Sequence, residues 1–533
     1  MSSTSDSESD DAMDRLVMQR AERLAKKQKI SSQEGVTPQA SSSQRAPSHV
    51  AVPLPTAAPS RGAPSLGQPE PWQAWAAHIA KKARPHRDRL GRQKRKIRMV
   101  ELCSGLMTAT RAMKKVDMFD VVTVMSVDPS GAATKMAVAT GNTSQHHFHR
   151  IADVIAASSA ECVWHGGPCE IPLSEADILA IGLSCKPYSS QRVGRYGKGS
   201  VRAHPDFYLM EEFLEVMRIH GIPLAIFENV RGFLQDDDDD GGTPLERLIK
   251  ELQDAGYLCL GMMLDAHTWL PVIRDRFFLI IGRADLFTVE DLRLAARLTQ
   301  EIESDVHVSS IKEFLFQPGD TEWQRMQKQW HLNQSRQRGT SAAASTQGEG
   351  DDPAWSRSAQ GHRQQLLSKG VRGWGLKPWT CVSGHVQAPM LRGFGQTDAK
   401  KEILDLAFLY GCQKKGVSAE DALCRQQPRR RVAEDLFCDV SQGICRQPWT
   451  FDRLQCCKTS SLWYSFERDA VIDHREIFRL HGFDTPPEDA CTHRELQVLI
   501  GNCMAVPSIS AVLHGLLCAC APRLPDCFEG HGN

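Results

Sequence analysis

No run of about 18 apolar residues occurs anywhere in the chain, which excludes a membrane-spanning helix by length alone. The 17 cysteines include no Cys-x-x-Cys pair, so the most recognisable zinc-module spacing is missing. Residues 1 to 20 begin Met-Ser-Ser-Thr-Ser-Asp-Ser-Glu and lack the basic-then-apolar pattern of an export signal. The chain is therefore expected in a reducing compartment, its cysteines mostly thiols. Net charge is also absent, with 64 basic residues against 64 acidic ones, so bulk attraction to a polyanion is not signalled. No internal repeat is visible, which sets aside solenoids and propellers.

What is present is length and local sorting of charge. With 533 residues the chain is too long for one compact core and suggests two or three domains. Ten of the eighteen residues from Lys81 to Arg98 are Lys or Arg, and Asp236 to Asp240 is an unbroken acidic run. The basic stretch reads as a nuclear localisation signal, a nucleic-acid-binding arm or a solvated linker. Before it, Ser, Ala, Pro and Gln dominate, with one short helical stretch from Leu16 to Ile30. Residues 1–95 are accordingly expected to form a disordered tail that ends in the basic run.

From Met99 the pattern changes. Met99-Val-Glu-Leu102, Val121 to Met125, Asp177 to Ile181, Leu224 to Phe227 and Phe277 to Ile281 read as buried strands. Between them Phe207, Met210, Phe213, Leu214 and Met217 recur at helical spacing, as do Leu245, Leu248, Ile249 and Leu252 before Gly256. Strands alternating with helices imply right-handed crossovers and a mostly parallel sheet, an α/β fold. Residues 96–283 would be the first part of this domain. Residues 284–466, irregular and holding a low-complexity segment at 334–352, would be an inserted domain. Residues 467–520 would close the first domain, leaving 521–533 as a tail.

Ligands of such sheets sit beyond the carboxyl ends of the strands. Glu101-Leu102-Cys103-Ser104-Gly105 follows the first strand, Asp128 the second, and Asp153 lies further on. Gly182-Leu-Ser-Cys185-Lys-Pro-Tyr-Ser-Ser190 delivers a cysteine at a strand tip, and Phe227-Glu228-Asn229-Val230 delivers a carboxylate at another. Arg274 and Arg276 flank Asp275 and share a face just before the last strand. Thiol, carboxylate and guanidinium groups thus converge. Cys162-x-x-His165-x-x-x-Cys169 and the group Cys438, Cys445, Cys456 and Cys457 are cysteine-rich, but their spacing is loose and no metal is expected.

This ordered set resembles the DNA (cytosine-5) methyltransferases. Glu101 to Gly105 looks like the family's first motif, Gly182 to Ser189 like its nucleophile motif, Glu228-Asn229-Val230 like Glu-Asn-Val, and Arg274-Asp-Arg276 like Arg-x-Arg. Arg475-Glu-Ile-Phe-Arg-Leu-His-Gly-Phe483 and Gly501-Asn502 resemble the closing motifs. The chain departs from the pattern at Met107, Ser126, Ser184, Lys186 and Val272. The resemblance implies a Rossmann-like class I sheet dependent on S-adenosylmethionine, with an inserted target-recognition domain. It also implies Cys185 as nucleophile, Glu228 as proton donor near ring nitrogen 3, Asn229 orienting backbone, and Arg276 on the ring carbonyl. Lys186, Arg274 and Arg276 are expected to ionise the thiol.

The cofactor would lie on Leu102, Cys103, Ser104 and Gly105, with Asp128 near the ribose, Asp153 near the adenine and Asn502 closing the pocket. The basic, glycine-hinged segment Gln191 to His204 would close over DNA, and Arg425, Arg429, Arg430 and Arg431 would contact phosphates. A nuclear enzyme acting on cytosine in DNA leads. An RNA (tRNA) methyltransferase of the same family and a non-catalytic DNA-binding relative are its rivals.

Overall fold

A computed structural model describes residues 70–528, apart from 191, 193–198, 237–241, 331–359, 361–362, 365–366, 369–373, 383–385, 396 and 444–445. The expected tail up to residue 69, the low-complexity segment, Cys445, most of the acidic run and most of the basic loop after Cys185 lie outside the described residues.

Nine strands belong to the first domain: β1 (Ile97–Leu102), β2 (Val121–Val127), β3 (His146–Phe148), β4 (Ser159–Cys162), β5 (Gly167–Glu170), β6 (Ile178–Gly182), β7 (Leu224–Val230), β8 (Tyr257–Asp265) and β9 (Asp275–Arg283). Seven of them form one sheet in the order β3-β2-β1-β6-β7-β9-β8, while β4 and β5 make a separate hairpin. The first five sheet strands are parallel and β9 runs antiparallel between β7 and β8. Central strands are covered on both faces, which is why β6 and β7 read as continuous apolar runs and not as alternations. The chain leaves β1 toward β2 and β3, then returns to β6 on the other side of β1. That reversal opens a crevice beyond the carboxyl ends of β1 and β6.

Among the described residues, the main helices are α1 (Ala74–Asp88), α2 (Thr108–Val116), α3 (Gly131–Ala139), α4 (Leu209–His220), α5 (Pro244–Asp254), α6 (Val289–Glu303), α7 (Asp398–Lys415), α8 (Ala419–Cys424), α9 (Gln426–Ala433), α10 (His474–Arg479), α11 (His493–Asn502) and α12 (Val506–Cys520), with a further single turn at Ile311–Phe314. One sheet face packs on α1, α2, α6 and α12, and the other on α4 and α5. The α5 helix shows how sequence sets local structure: Thr243 and Glu246 close a capping box around Pro244, Leu248 and Leu252 bury one stripe, and Gly256 turns the chain at φ +85°. α12 is apolar all round because other elements enclose it, as a central core helix requires.

Three expected boundaries move. The basic stretch is not part of a tail: Trp75, Ala76, Ile79 and Ala83 recur at helical spacing and bury α1 in the core shared with α12, with Trp72 of the preceding turn beside them. Each large side chain so buried contributes about 1.5–3 kcal/mol, enough to order a helix whose other face is cationic. Arg95 is likewise structural, held by both carboxylate oxygens of Asp177 at 2.8 Å. At the other junction α6 belongs to the first domain, since Leu292, Ala295, Leu298 and Ile302 join the core of α12. The insertion therefore begins nearer Phe316 than residue 284. Phe316 donates its N–H to Glu476 at 2.6 Å, so departure and return of the insertion are fastened together. The C-terminal segment is no tail either, with Leu524 and Cys527 buried and Phe528 paired with Gln93.

The insertion carries an antiparallel sheet of β10 (Leu436–Asp439), β11 (Trp449–Phe451), β12 (Trp463–Ser465) and β13 (Ala470–Val471), in the order β11-β10-β12-β13. Trp379, Phe408, Tyr464 and Phe466 form the aromatic centre of its core with α7. Arg429, expected on phosphate, is buried there instead. Its guanidinium lies 4.1 Å from the Trp379 ring centre and donates to the carbonyls of Pro378 and Trp379 at 2.5 and 2.6 Å. A buried cation needs such partners, and these leave it none of its reach toward solvent. Arg430 and Arg431 are exposed.

Candidate active site

A cleft of about 630 Å³ occupies the crevice beyond β1 and β6. Its floor at β1 is a tight loop in which Cys103, Gly105 and Met107 all take left-handed backbone angles. Met107 offers no side-chain cap to α2, and the buried Glu101 does that work from below. Its carboxylate accepts the N–H groups of Ala109 and Thr110 at 3.1 Å and the Thr110 hydroxyl at 2.8 Å. Burial raises this carboxyl to about 7. Cys103, Ser104 and Gly105 line the cleft, but Leu102, fully buried, does not.

Asp128 faces the cleft from the end of β2, with one oxygen accepting the Gly105 N–H and the other the Ser130 N–H, each at 2.8 Å. It thereby braces the loop that it shares a wall with, and burial raises its pKa. Ser126, where an acid is expected, points into the protein toward Ser144 and His147 at 2.6 and 2.8 Å. Asp153 is a correction: it pairs with Arg150 at 2.7 Å and lies off the cleft, whereas His149, Arg150, Ile151 and Ala152 line it.

Cys185 stands in the loop after β6, where the N–H groups of Tyr188 and Ser189 turn back onto its carbonyl. Ser184 donates to Asp206 at 2.5 Å and Lys186 pairs with the same carboxylate at 3.5 Å. Lys186 is thus diverted from the thiol. Burial is the largest influence on Cys185 and raises its pKa, and the nearby Arg276 and Arg274 charges do not outweigh it. Burial is thus set against the ionisation expected of this thiol.

Glu228 reaches the cleft from β7 and binds Arg276, Nε to Oε1, at 2.9 Å. Burial raises the Glu228 carboxyl despite that partner. Gly182 lies against both Glu228 and Met504: a Cβ there would stand 3.4 Å from Glu228 Oε2 and 3.5 Å from Met504 Cε, in ordinary contact. Asn229 is buried beside the cleft and accepts the Val230 N–H at 2.8 Å, with its amide 3.5 Å from the Leu183 carbonyl. Its side chain thus meets the backbone at the end of β7 and, at the limit of hydrogen-bond distance, the loop that leads to Cys185. Arg274 is only 2% exposed, and its guanidinium donates to the carbonyls of Cys457, Gly501 and Cys503. It lines the cleft beside Cys185 and Glu228 and also ties the insertion to the segment carrying Asn502.

Asn502 lines the cleft at the end of α11. A Cβ on Gly501 would fall 2.3 Å from the Thr459 nitrogen, which explains glycine before it. Sequence reasoning missed Asp206, Tyr208, Glu212 and Met504 on the cleft wall. It also missed Cys456, whose Sγ lies 3.6 Å from Arg274 Nη1 and 3.9 Å from Arg276 Nη2. Although burial pushes that thiol up, the two guanidinium groups lower it on balance. No strand-tip pattern marks these residues, since Asp206, Tyr208 and Met504 come from loops next to helices, Glu212 from α4 and Cys456 from the insertion.

The sequence model of the family described as C-5 cytosine-specific DNA methylase matches residues 97–518. This chain belongs to that family. The match runs from the first residue of β1 to within α12, spanning every element that builds the cleft and the insertion as well. No curated protein matches this C-5 methylase significantly. Among solved structures it is similar to the Schizosaccharomyces pombe Dnmt2 methyltransferase, at 14% identity over 79% of this chain and 98% of that one with a TM-score of 0.38. It is also similar to the Entamoeba histolytica methyltransferase EhMeth, at 10% identity over 80% and 98% with a TM-score of 0.39.

Proposed function

We propose that this methyltransferase transfers a methyl group from S-adenosylmethionine to carbon 5 of cytosine in DNA, through a covalent bond between Cys185 and carbon 6 of a flipped base. The observation that carries this reading is the single cleft lined by Cys185, Glu228 and Arg276 at one end and by Ser104, Gly105 and Asp128 at the other. The wall residues fit such a cofactor. Ser104 Oγ and Glu212 Oε2 are buried polar atoms without a hydrogen-bond partner, on residues that line the cleft. Unpartnered buried groups cost about 1–3 kcal/mol each and are explained by a polar ligand. Beyond Gly105 no atom lies within 4 Å of where a Cβ would be. Bound there, S-adenosylmethionine supplies an electrophilic methyl group.

The chain's own groups do the rest. Carbon 5 of cytosine is a poor nucleophile until a thiolate adds to carbon 6, and Cys185 is the thiol on the cleft wall. When the base takes Glu228 as partner, the Arg276 charge is left to the thiol and favours loss of its proton to water; after methyl transfer the carbon 5 proton leaves and the bond from Cys185 to carbon 6 breaks, returning the thiolate. Burial raises the Glu228 pKa, which favours its taking up a proton when the base displaces Arg276 and delivering it at ring nitrogen 3 as negative charge spreads there. The base must leave the duplex to reach these atoms. Tritium transfer from labelled S-adenosylmethionine to duplex DNA, compared with RNA in one assay, tests the reading: label on DNA cytosines is expected. Label confined to RNA would replace the substrate, and label on neither would remove the activity. A nuclear location belongs to the same proposal and rests on the DNA substrate.

A further inference from the structure

The hairpin β4–β5 carries a group of side chains that the methyl-transfer reading does not use. Its register pairs Cys162 with Gly167 and Ala160 with Cys169, so Cys162 and Cys169 project from the same face. The turn between the strands, with Gly166 at φ +64°, folds His165 back over that face. Nδ1 of His165 lies 3.2 Å from Cys162 Sγ and 3.2 Å from Cys169 Sγ. The fourth member comes from elsewhere: His146, at the start of β3, whose ring centre is 5.2 Å from that of His165. All four ligand atoms lie within 4.8 Å of one another. His146 Nδ1 is buried with no hydrogen-bond partner.

A tetrahedral zinc ion with bonds of about 2.3 Å to sulfur and 2.0–2.1 Å to nitrogen has ligand-to-ligand edges of about 3.3–3.8 Å. The two His165-to-sulfur edges, 3.2 Å each, stand at that scale, the whole set within 4.8 Å needs only a small contraction, and two thiolates would neutralise a dication. We infer that His146, Cys162, His165 and Cys169 form a structural zinc site. The set is closed, with four protein ligands and no position left for water, so it holds structure and not substrate. A two-stranded hairpin is marginal by itself, and β3 is a three-residue edge strand. The ion would staple one to the other, next to the single backbone bond from Val163 N–H to the His147 carbonyl. Because β3 leads directly into His149 to Ala152, the site fixes one wall of the cleft. The loose spacing that argued against a metal in the sequence is resolved by a ligand sixteen positions upstream, which replaces the missing second Cys or His of a compact motif.

The test measures zinc in the full chain purified under reducing conditions without chelator, and then the absorption spectrum of the same chain reloaded with cobalt. One zinc per chain is expected, with cobalt giving thiolate charge-transfer and tetrahedral ligand-field bands. The paired substitution Cys162→Ser and Cys169→Ser should lose the metal, and His146→Ala should weaken zinc affinity at least tenfold. Since the paired variant can misfold, the zinc content and cobalt spectrum of the unaltered chain stand independently. Absence of metal after growth with added zinc, octahedral cobalt bands, a Cys162–Cys169 disulfide in the reduced preparation, or full zinc content in a folded paired variant would each overturn the site.

Discussion

Replacing Arg274 by Met separates a structural arginine from a catalytic one. The Arg274 side chain is buried and donates to three carbonyls that belong to two different segments, Cys457 in the insertion and Gly501 and Cys503 in the closing part. Methionine fills much of the volume but donates nothing, so three buried acceptors lose their donors. Each orphaned acceptor costs about 1–3 kcal/mol, while removal of a buried cation returns part of its desolvation cost, leaving a net loss of about 3 kcal/mol. At an unfolding entropy of about 2.1 cal/mol/K per residue, a cooperative unit of a few hundred residues has about 0.9 kcal/mol/K, which converts this loss to a fall in Tm of about 3 °C. Scanning calorimetry of the variant without ligands reads it directly. Arg276→Met is the control, because the partner it abandons, Glu228, can become neutral by taking a proton; its Tm should stay within about 1 °C of the parent. If Arg274→Met melts like the parent yet loses all methyl transfer, Arg274 acts on substrate and the positioning role is wrong.

Three further outcomes follow from the geometry. Alkylation of Cys185 by iodoacetamide at neutral pH, followed by peptide mass mapping, should be slow in the parent and faster in Glu228→Gln. The Glu228 charge raises the thiol and its removal leaves Arg276 and Arg274 uncompensated; an unchanged or slower rate would refute that sign. Arg429→Ala should destabilise the insertion by about 3 kcal/mol, as loss of a buried hydrogen-bonded cation does, while the salt dependence of DNA binding stays unchanged. Arg430 and Arg431 changed to Ala should instead flatten that salt slope by about one unit per lost contact. A chain starting at residue 70 should keep the parent's Tm within about 1 °C, whereas one starting at residue 89 loses the buried Trp72, Trp75 and Ile79 and should melt lower by several degrees or fail to stay soluble.

The parts of the fold visible in the sequence are those where burial writes a pattern. Leu224 to Phe227 and Phe277 to Ile281 read as strands because both sheet faces are covered, and the stripe of Leu248 and Leu252 read as a helix because one face is. Cys185, Glu228 and Arg276 were legible for a topological reason: strand tips of a parallel sheet converge, so residues far apart in sequence meet. What stayed hidden depended on direction and not on position. Arg274 stands just before β9 and Arg276 within it, yet one guanidinium turns into the carbonyls of Gly501 and Cys503 while the other turns to Glu228. Density of Lys and Arg masked the apolar stripe of α1, which only four residues define. Arg429 looked like a surface cation because nothing local announces that Trp379 and Phe408 lie beneath it. His146 meets Cys162 and Cys169 only because the separate β4–β5 hairpin lies beside β3, linked by the Val163 N–H to the His147 carbonyl.

The central claim is that Cys185 bonds to carbon 6 of a cytosine held in this cleft. Duplex DNA carrying 5-fluorocytosine, incubated with the full chain and S-adenosylmethionine, tests it most directly, because fluorine at carbon 5 cannot leave as a proton does and the adduct is trapped. Mass mapping should place the nucleotide on the peptide containing Cys185, and Cys185→Ala should give no adduct. An adduct on Cys456 or any other cysteine, or methylated DNA formed by Cys185→Ala, would contradict the account.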